Sequence, residues 1–282
     1  MTYRSLLVHL EDGPRCAARV DLAVALARQF DAHLVGLATA GQLPYLAEVG
    51  GALASPGLEA IARAMESLRD LAAQRAETFR ARCVEASLRS VEAVVDDQDD
   101  ASSLVYHSHC SDLVILGQAD PARSGHLAAR AMVERVVLAN ARPTLIVPFA
   151  GPVDAAATTR CALVAWNDSR ESARALADAL PMLTRADEVH LMQLDGPAED
   201  RGAPRRLDAV RQWLAWHGVD AQAHHETNEI DVGNALLSRA ADLGAGLIVM
   251  GAYGHSRWSE RMLGGASRTL LSSMTVPVLM SH

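Results

Sequence analysis

The stretch "MGAYGHSRWSERMLGGASRTLL", Met250 to Leu271, places glycines at 251, 254, 264 and 265 between an apolar run and an amphipathic one. Glycine lets the backbone turn tightly and lets an anion approach with no Cβ in the way. A helix opening at Gly264 and Gly265 adds free N–H groups and the positive end of a dipole, both favourable to phosphate oxygens. On this reading Gly251, Gly254, His255, Gly264, Gly265, Ala266 and Ser267 surround an anion cradle. A second group, Asn167, Asp168 and Ser169 in "NDSRES", follows another apolar run. These three side chains either cap the next helix or bond a ribose or base.

Other reactive side chains are less ordered. "YHSHCSD" offers His107, His109 and Cys110, but on a helix 107 and 110 share a face while 109 points away, so a histidine-rich helix end is favoured over a metal site. In "AHHE" strand alternation sends His224 and His225 to opposite faces. Arg257 could pair with phosphate, yet Arg123 stands at the equivalent place of the first half, which favours a structural role. Neither a Gly-x-Ser-x-Gly elbow nor an HExxH helix is present, and no catalytic or metal-binding residue is assigned.

Composition narrows the class. The chain has 282 residues and a net charge of −8, and all 26 of its basic residues are arginine. Without lysine there is no P-loop lysine and no Schiff base. The acidic balance argues against nucleic acid as a partner. Four cysteines at 16, 83, 110 and 161 form no CxxC pair and read as reduced thiols. No apolar run reaches the roughly 18–20 residues of a membrane span, and the first apolar run, Leu6 to Leu10, is too short for a signal sequence. A soluble cytoplasmic protein is expected.

The elements that must hold these residues form a repeat. Apolar runs expected as strands fall at 5–10, 32–39, 90–95, 112–117 and 143–148, and again at 161–166, 188–194, 220–226, 246–251 and 277–281. Helical spacing fills 14–30, 58–86, 99–110 and 127–140, then 169–182, 204–217, 231–243 and 265–274. An offset of 134 aligns "LVILGQ" with "LIVMGA", whereas the start of each half needs 156. The surplus of about 22 residues is expected in the Gly- and Pro-bearing connection 41–60. The limits predicted are 1–150 and 158–282, joined by a short linker over 149–159, so that the two units should pack on each other and the strand at 277–281 should be covered by that at 143–148.

Gly251, Gly254 and Gly264 stand in the spacing G-x2-G-x9-G, and with "LVAWNDSRES" this makes the chain similar to the universal stress protein family in its tandem form. The resemblance implies an α/β fold of two tandem open parallel five-stranded sheets flanked by helices, Rossmann-like and of the adenine nucleotide alpha hydrolase type. It also implies a stress-response role without catalysis beyond weak ATP hydrolysis, and an ATP site, with Mg2+, in the second unit. Two positions depart from the family: Gly265 stands where ATP-binding members have Ser or Thr, and Asn167 where they have Asp. The first unit keeps Gly117 but has Asp120, Arg130 and Ala131 at the places of the other glycines, and is expected to be a degenerate structural partner. Partners expected are an adenine nucleotide, the other unit, an unidentified protein, and in the assembled state a second copy of the chain. The competing reading is a tandem interaction scaffold that binds no nucleotide.

Overall fold

The computed structural model describes residues 2–41, 58–151, 153–195, 203–227, 231–253 and 265–282. Ten strands are described: β1 (Ser5–His9), β2 (His33–Thr39), β3 (Val91–Asp96), β4 (Leu113–Gly117), β5 (Thr144–Val147), β6 (Cys161–Trp166), β7 (Glu188–Asp195), β8 (Ala221–Thr227), β9 (Leu247–Gly251) and β10 (Val278–Ser281). Each lies within one residue of its expected limits. The described helices are α1 (Cys16–Phe30), α2 (Leu58–Glu85), α3 (Asp100–Ser108), α4 (His126–Ala139), α5 (Ala155–Arg160), α6 (Arg170–Leu183), α7 (Ala203–Trp216), α8 (Val232–Asp242) and α9 (Gly265–Ser273).

The strand order is β3-β2-β1-β4-β5-β10-β9-β6-β7-β8. Within each half every pairing is parallel, and the halves meet where β5 and β10 pair antiparallel, with Leu279 opposite Leu145. Two five-stranded parallel sheets are thus joined edge to edge into one sheet of ten. The central strands are continuous apolar runs because helices cover both faces: β4 and β5 are buried throughout. The edge strands β3 and β8 carry mostly half-buried and exposed positions, as strands that are less covered than the central ones do.

Contacts across the junction are specific as well as apolar. The Tyr3 hydroxyl donates to the Asp178 carbonyl at 2.7 Å, and the Gln118 amide donates to the Leu271 carbonyl at 3.0 Å. One apolar cluster contains Leu6, Leu145, Val164 and Leu279, residues of both halves.

Two expectations about the connections are corrected. The surplus of the first half is not confined to 41–60, because α2 has 28 residues against 14 in α7, its counterpart. The linker 149–159 contains α5, whose start is capped by the Asp154 carboxylate accepting from the Ala156 N–H at 3.0 Å. The rest of the 41–60 connection lies mostly outside the described residues.

Candidate functional site

In an open parallel sheet the loops beyond the carboxyl ends of the strands diverge and leave room for a ligand. In the second half these are the loops after β6 and β9. Gly251 closes β9, and a Cβ there would lie 2.5 Å from the backbone of Glu171 and Ser172. The glycine therefore lets the start of α6 press on the end of β9. Two residues on, the Tyr253 N–H donates to the Ser267 hydroxyl at 3.4 Å. The segment 251–253 thus touches the first turns of both α6 and α9, and brings Ser169, Gly251 and Ser267 into one neighbourhood.

The individual side chains divide. Ser169 is the N-cap of α6: its hydroxyl accepts from the Ser172 N–H, and the Ser172 hydroxyl accepts from the Ser169 N–H, both at 3.1 Å. That capping box occupies Ser169. Asn167 is exposed and accepts from the Ser169 N–H at 3.3 Å. Asp168 is exposed, has φ of 59°, and forms an ion pair with Arg206 of α7 at 3.1 Å. Gly265 opens α9 at the surface, Ala266 is half-buried, and Ser267 is buried beneath them. Gly254, His255 and Gly264, together with Arg257, lie outside the described residues.

Among the described residues a Cβ at Gly265 would meet nothing nearer than Asp231 Oδ2 at 3.6 Å, which is ordinary contact, and its φ is not in the left-handed region. Neither the backbone conformation nor packing against the described residues calls for glycine there. Beside Asn167 the sheet carries an apolar hollow of about 390 Å³, lined by Trp166, Ala173, Leu176, Ala209, Val210 and Trp213. Trp166 lines it, while its indole N–H is shut off from solvent and has no hydrogen-bond partner among the described residues. Trp213 of α7 forms one wall of the hollow.

The first half holds a different site at the corresponding place. A cavity of about 330 Å³ opens over the carboxyl ends of β1 and β4, with Glu11, Arg19, Thr39, Asp100 and Arg123 among its walls. Arg19, on α1, is 1% exposed; its Nη1 donates to Glu11 Oε1 at 2.8 Å and its Nε to the His9 carbonyl at 3.0 Å. A Cβ at Gly117 would stand 2.1 Å from Arg19 Nη1. The glycine kept by both halves therefore serves two ends: in one it admits a guanidinium, in the other the backbone of a helix. Asp120 turns back on its own loop and accepts from the Ala122 N–H at 2.9 Å.

Residues 159–282 match the model of the universal stress protein family. The second half of this chain is a universal stress protein domain. The whole chain is similar in fold to a universal stress protein from Archaeoglobus fulgidus DSM 4304, with a TM-score of 0.73 and 16% identity over 98% of this chain and 95% of that one. It is also similar to a functionally unknown protein from Pseudomonas aeruginosa PAO1, with a TM-score of 0.60 and 18% identity over 99% and 92% of the two chains. The sequence matches no curated protein. Since the A. fulgidus likeness spans both halves, the first half carries the universal stress fold as well, although its cleft residues differ.

Those differences set the electrostatics. His9 and Glu11 stand where the universal stress domain of the second half has Ala165 and Asn167, and Arg19 where it has Ala175. Burial, with the nearby Arg19 and Arg75 cations, holds the His9 imidazole below its ordinary range, and neither ring nitrogen has a partner among the described residues. Burial alone would raise the Glu11 carboxyl, but the charge and hydrogen bond of Arg19, with His9 and Arg123, together outweigh it and hold the acid below its usual value. A carboxyl depressed on folding stabilises above its unfolded pKa and loses that contribution as the pH falls through its folded pKa. We therefore expect thermal stability to drop, as the pH falls below about 4.5, more steeply in the wild type than in Glu11→Gln. Equal slopes would show that the pair adds no linkage.

No described helix is long and apolar enough to cross a membrane.

Proposed function

We propose that the universal stress domain of the second half binds an adenine nucleotide at the carboxyl edge of β6 and β9, and that the protein acts as a stress-response regulator rather than as an enzyme. The supporting observation is Gly265 in the first turn of α9, where a glycine is present that packing among the described residues does not require. The N–H groups of a helix's first turn favour phosphate oxygens. Asn167, exposed at the end of β6, would meet the ribose, and the hollow between Trp166 and Trp213 has the apolar walls that a purine face prefers. Mg2+ would accompany the phosphates, as it does for ATP in solution.

The scaffold reading draws on the same segment, since a Cβ at Gly233 of α8 would lie 2.7 Å from Thr269 Cβ and 2.9 Å from the Ala266 carbonyl of α9. Close helix packing is therefore present, but it centres on Gly233 and not on Gly265.

Calorimetric titration with ATP and Mg2+ separates the two. Binding is expected in the wild type and is expected to be lost in Gly254→Asp, which copies the first half. Gly265→Ser has room for its side chain and restores a hydroxyl near the phosphates, so it should tighten binding about tenfold, the worth of one hydrogen bond to a charged group. No heat at millimolar ATP in any of the three proteins would leave the scaffold reading standing.

A further inference from the structure

At the amino ends of β6 and β7, on the rim opposite the candidate nucleotide site, the sheet brings together Cys161, Glu188 and His190. Register places Cys161 beside Glu188 and Leu163 beside His190, and alternation then turns all three side chains to one face. The thiol, the carboxylate and an imidazole nitrogen lie within 4.8 Å of one another. It is the only group of this kind among the described residues. Cys161 is 5% and His190 is 4% exposed, while the Glu188 side chain is 61% exposed and leaves a way in from solvent.

We propose that Cys161, Glu188 and His190 bind a single Zn2+ ion. The buried His190 Nε2 has no hydrogen-bond partner among the described residues, and it stands 3.6 Å from Glu188 Oε2. For zinc bonds of about 2.0–2.3 Å in tetrahedral geometry, ligand atoms lie roughly 3.3–3.7 Å apart, so this pair is already spaced for one ion. The third atom comes into range through small torsional changes at Cys161 and Glu188. The other ring nitrogen of His190, Nδ1, lies 3.1 Å from His224 Nε2. Metal-binding histidines as a rule donate that second N–H to a neighbour, which fixes the tautomer and leaves the ligand nitrogen with its lone pair. Here His224 would accept from His190 Nδ1–H, and Nε2 would face the ion.

The donor set selects the metal. A thiolate is a poor partner for Mg2+ or Ca2+, and a carboxylate is a poor one for Cu+, whereas sulfur, nitrogen and oxygen together suit Zn2+. Binding displaces the thiol proton to solvent and leaves a fourth position for water. The ion would tie β6 to β7 near the edge of the sheet, where β8 alone follows.

Chelator-treated full-length protein is titrated with Co2+, read by the thiolate-to-cobalt charge-transfer absorption, and with Zn2+ against a chromophoric chelator. One equivalent is expected, with the charge-transfer band absent in Cys161→Ser and retained in Cys110→Ser, since Cys110 is an exposed thiol far from the cluster in sequence. Glu188→Gln, at the surface and harmless to folding, should weaken Zn2+ at least about tenfold, and His224→Phe by about ten- to a hundredfold through its hold on His190. A band that survives Cys161→Ser, undiminished Zn2+ affinity in Glu188→Gln, or no binding of Zn2+ at micromolar concentrations would each overturn the assignment.

Discussion

Gly117→Ala is expected to destabilise the protein by about 2–4 kcal/mol, the cost of forcing a buried guanidinium away from its half-buried carboxylate without removing either charge. The new Cβ would stand 2.1 Å from Arg19 Nη1 and 2.8 Å from Glu11 Oε1. Arg19 has nowhere to retreat, because it is 1% exposed and held by the His9 carbonyl as well. In an Arg19→Ala background only the Glu11 carboxylate still faces Gly117, on a side chain exposed enough to turn aside, and the same substitution should cost less than about 1 kcal/mol. Urea denaturation of the four proteins of this cycle gives the coupling directly. An equal cost in both backgrounds would mean that the glycine answers to the backbone and not to the guanidinium.

Leu279→Ala is the second substitution with a large expected effect, about 2–5 kcal/mol for a wholly buried leucine. Leu279 sits in β10 opposite Leu145, where the two halves of the sheet meet. Because one apolar cluster runs through both halves, the loss should be felt by both. All four tryptophans, at 166, 213, 216 and 258, belong to the second half, so their fluorescence follows that half alone. Fluorescence and far-UV circular dichroism should then report coincident transitions in wild type and mutant. A mutation of the first half, Gly117→Ala, should shift the fluorescence transition too. Separate transitions would show that the halves unfold as independent units, joined only by contact.

The strands were legible because a buried parallel strand needs a continuous apolar run, as in "LLVH", "LVILG" and "LIVMG". Less was legible where one residue type serves two purposes. "DAAATTR" reads as a linker by composition, although Asp154 before an alanine run is an N-cap signal. Arg19 looks like an outward-facing residue of an amphipathic helix, and nothing local marks it as buried. The repeat offered the one clue, since Ala175 stands at its place in the second half. Cys161, Glu188 and His190 escaped notice for another reason: they are 27 and 29 residues apart in sequence, counting from Cys161, and only strand register brings them together. Of the histidine groups that sequence reasoning did weigh, His107 meets Asp96 at 3.0 Å and Cys110 is exposed, so they form no shared centre. His224 turns to His190.

The antiparallel pairing of β5 with β10 also governs which sites can sense one another. It reverses the direction of every strand between the halves, so the cleft holding Arg19 opens on one rim of the sheet and the start of α9 on the other. Strands of about five residues separate those rims by roughly 17 Å, too far for a shared small molecule. The Cys161 group, at amino ends, lies instead on the same rim as the first cleft. An occupant of the second half's carboxyl edge could therefore influence either of the others only by shifting the strands themselves. The protein is in that sense two-sided: one rim for the candidate nucleotide, the other for charge clusters that the nucleotide never meets.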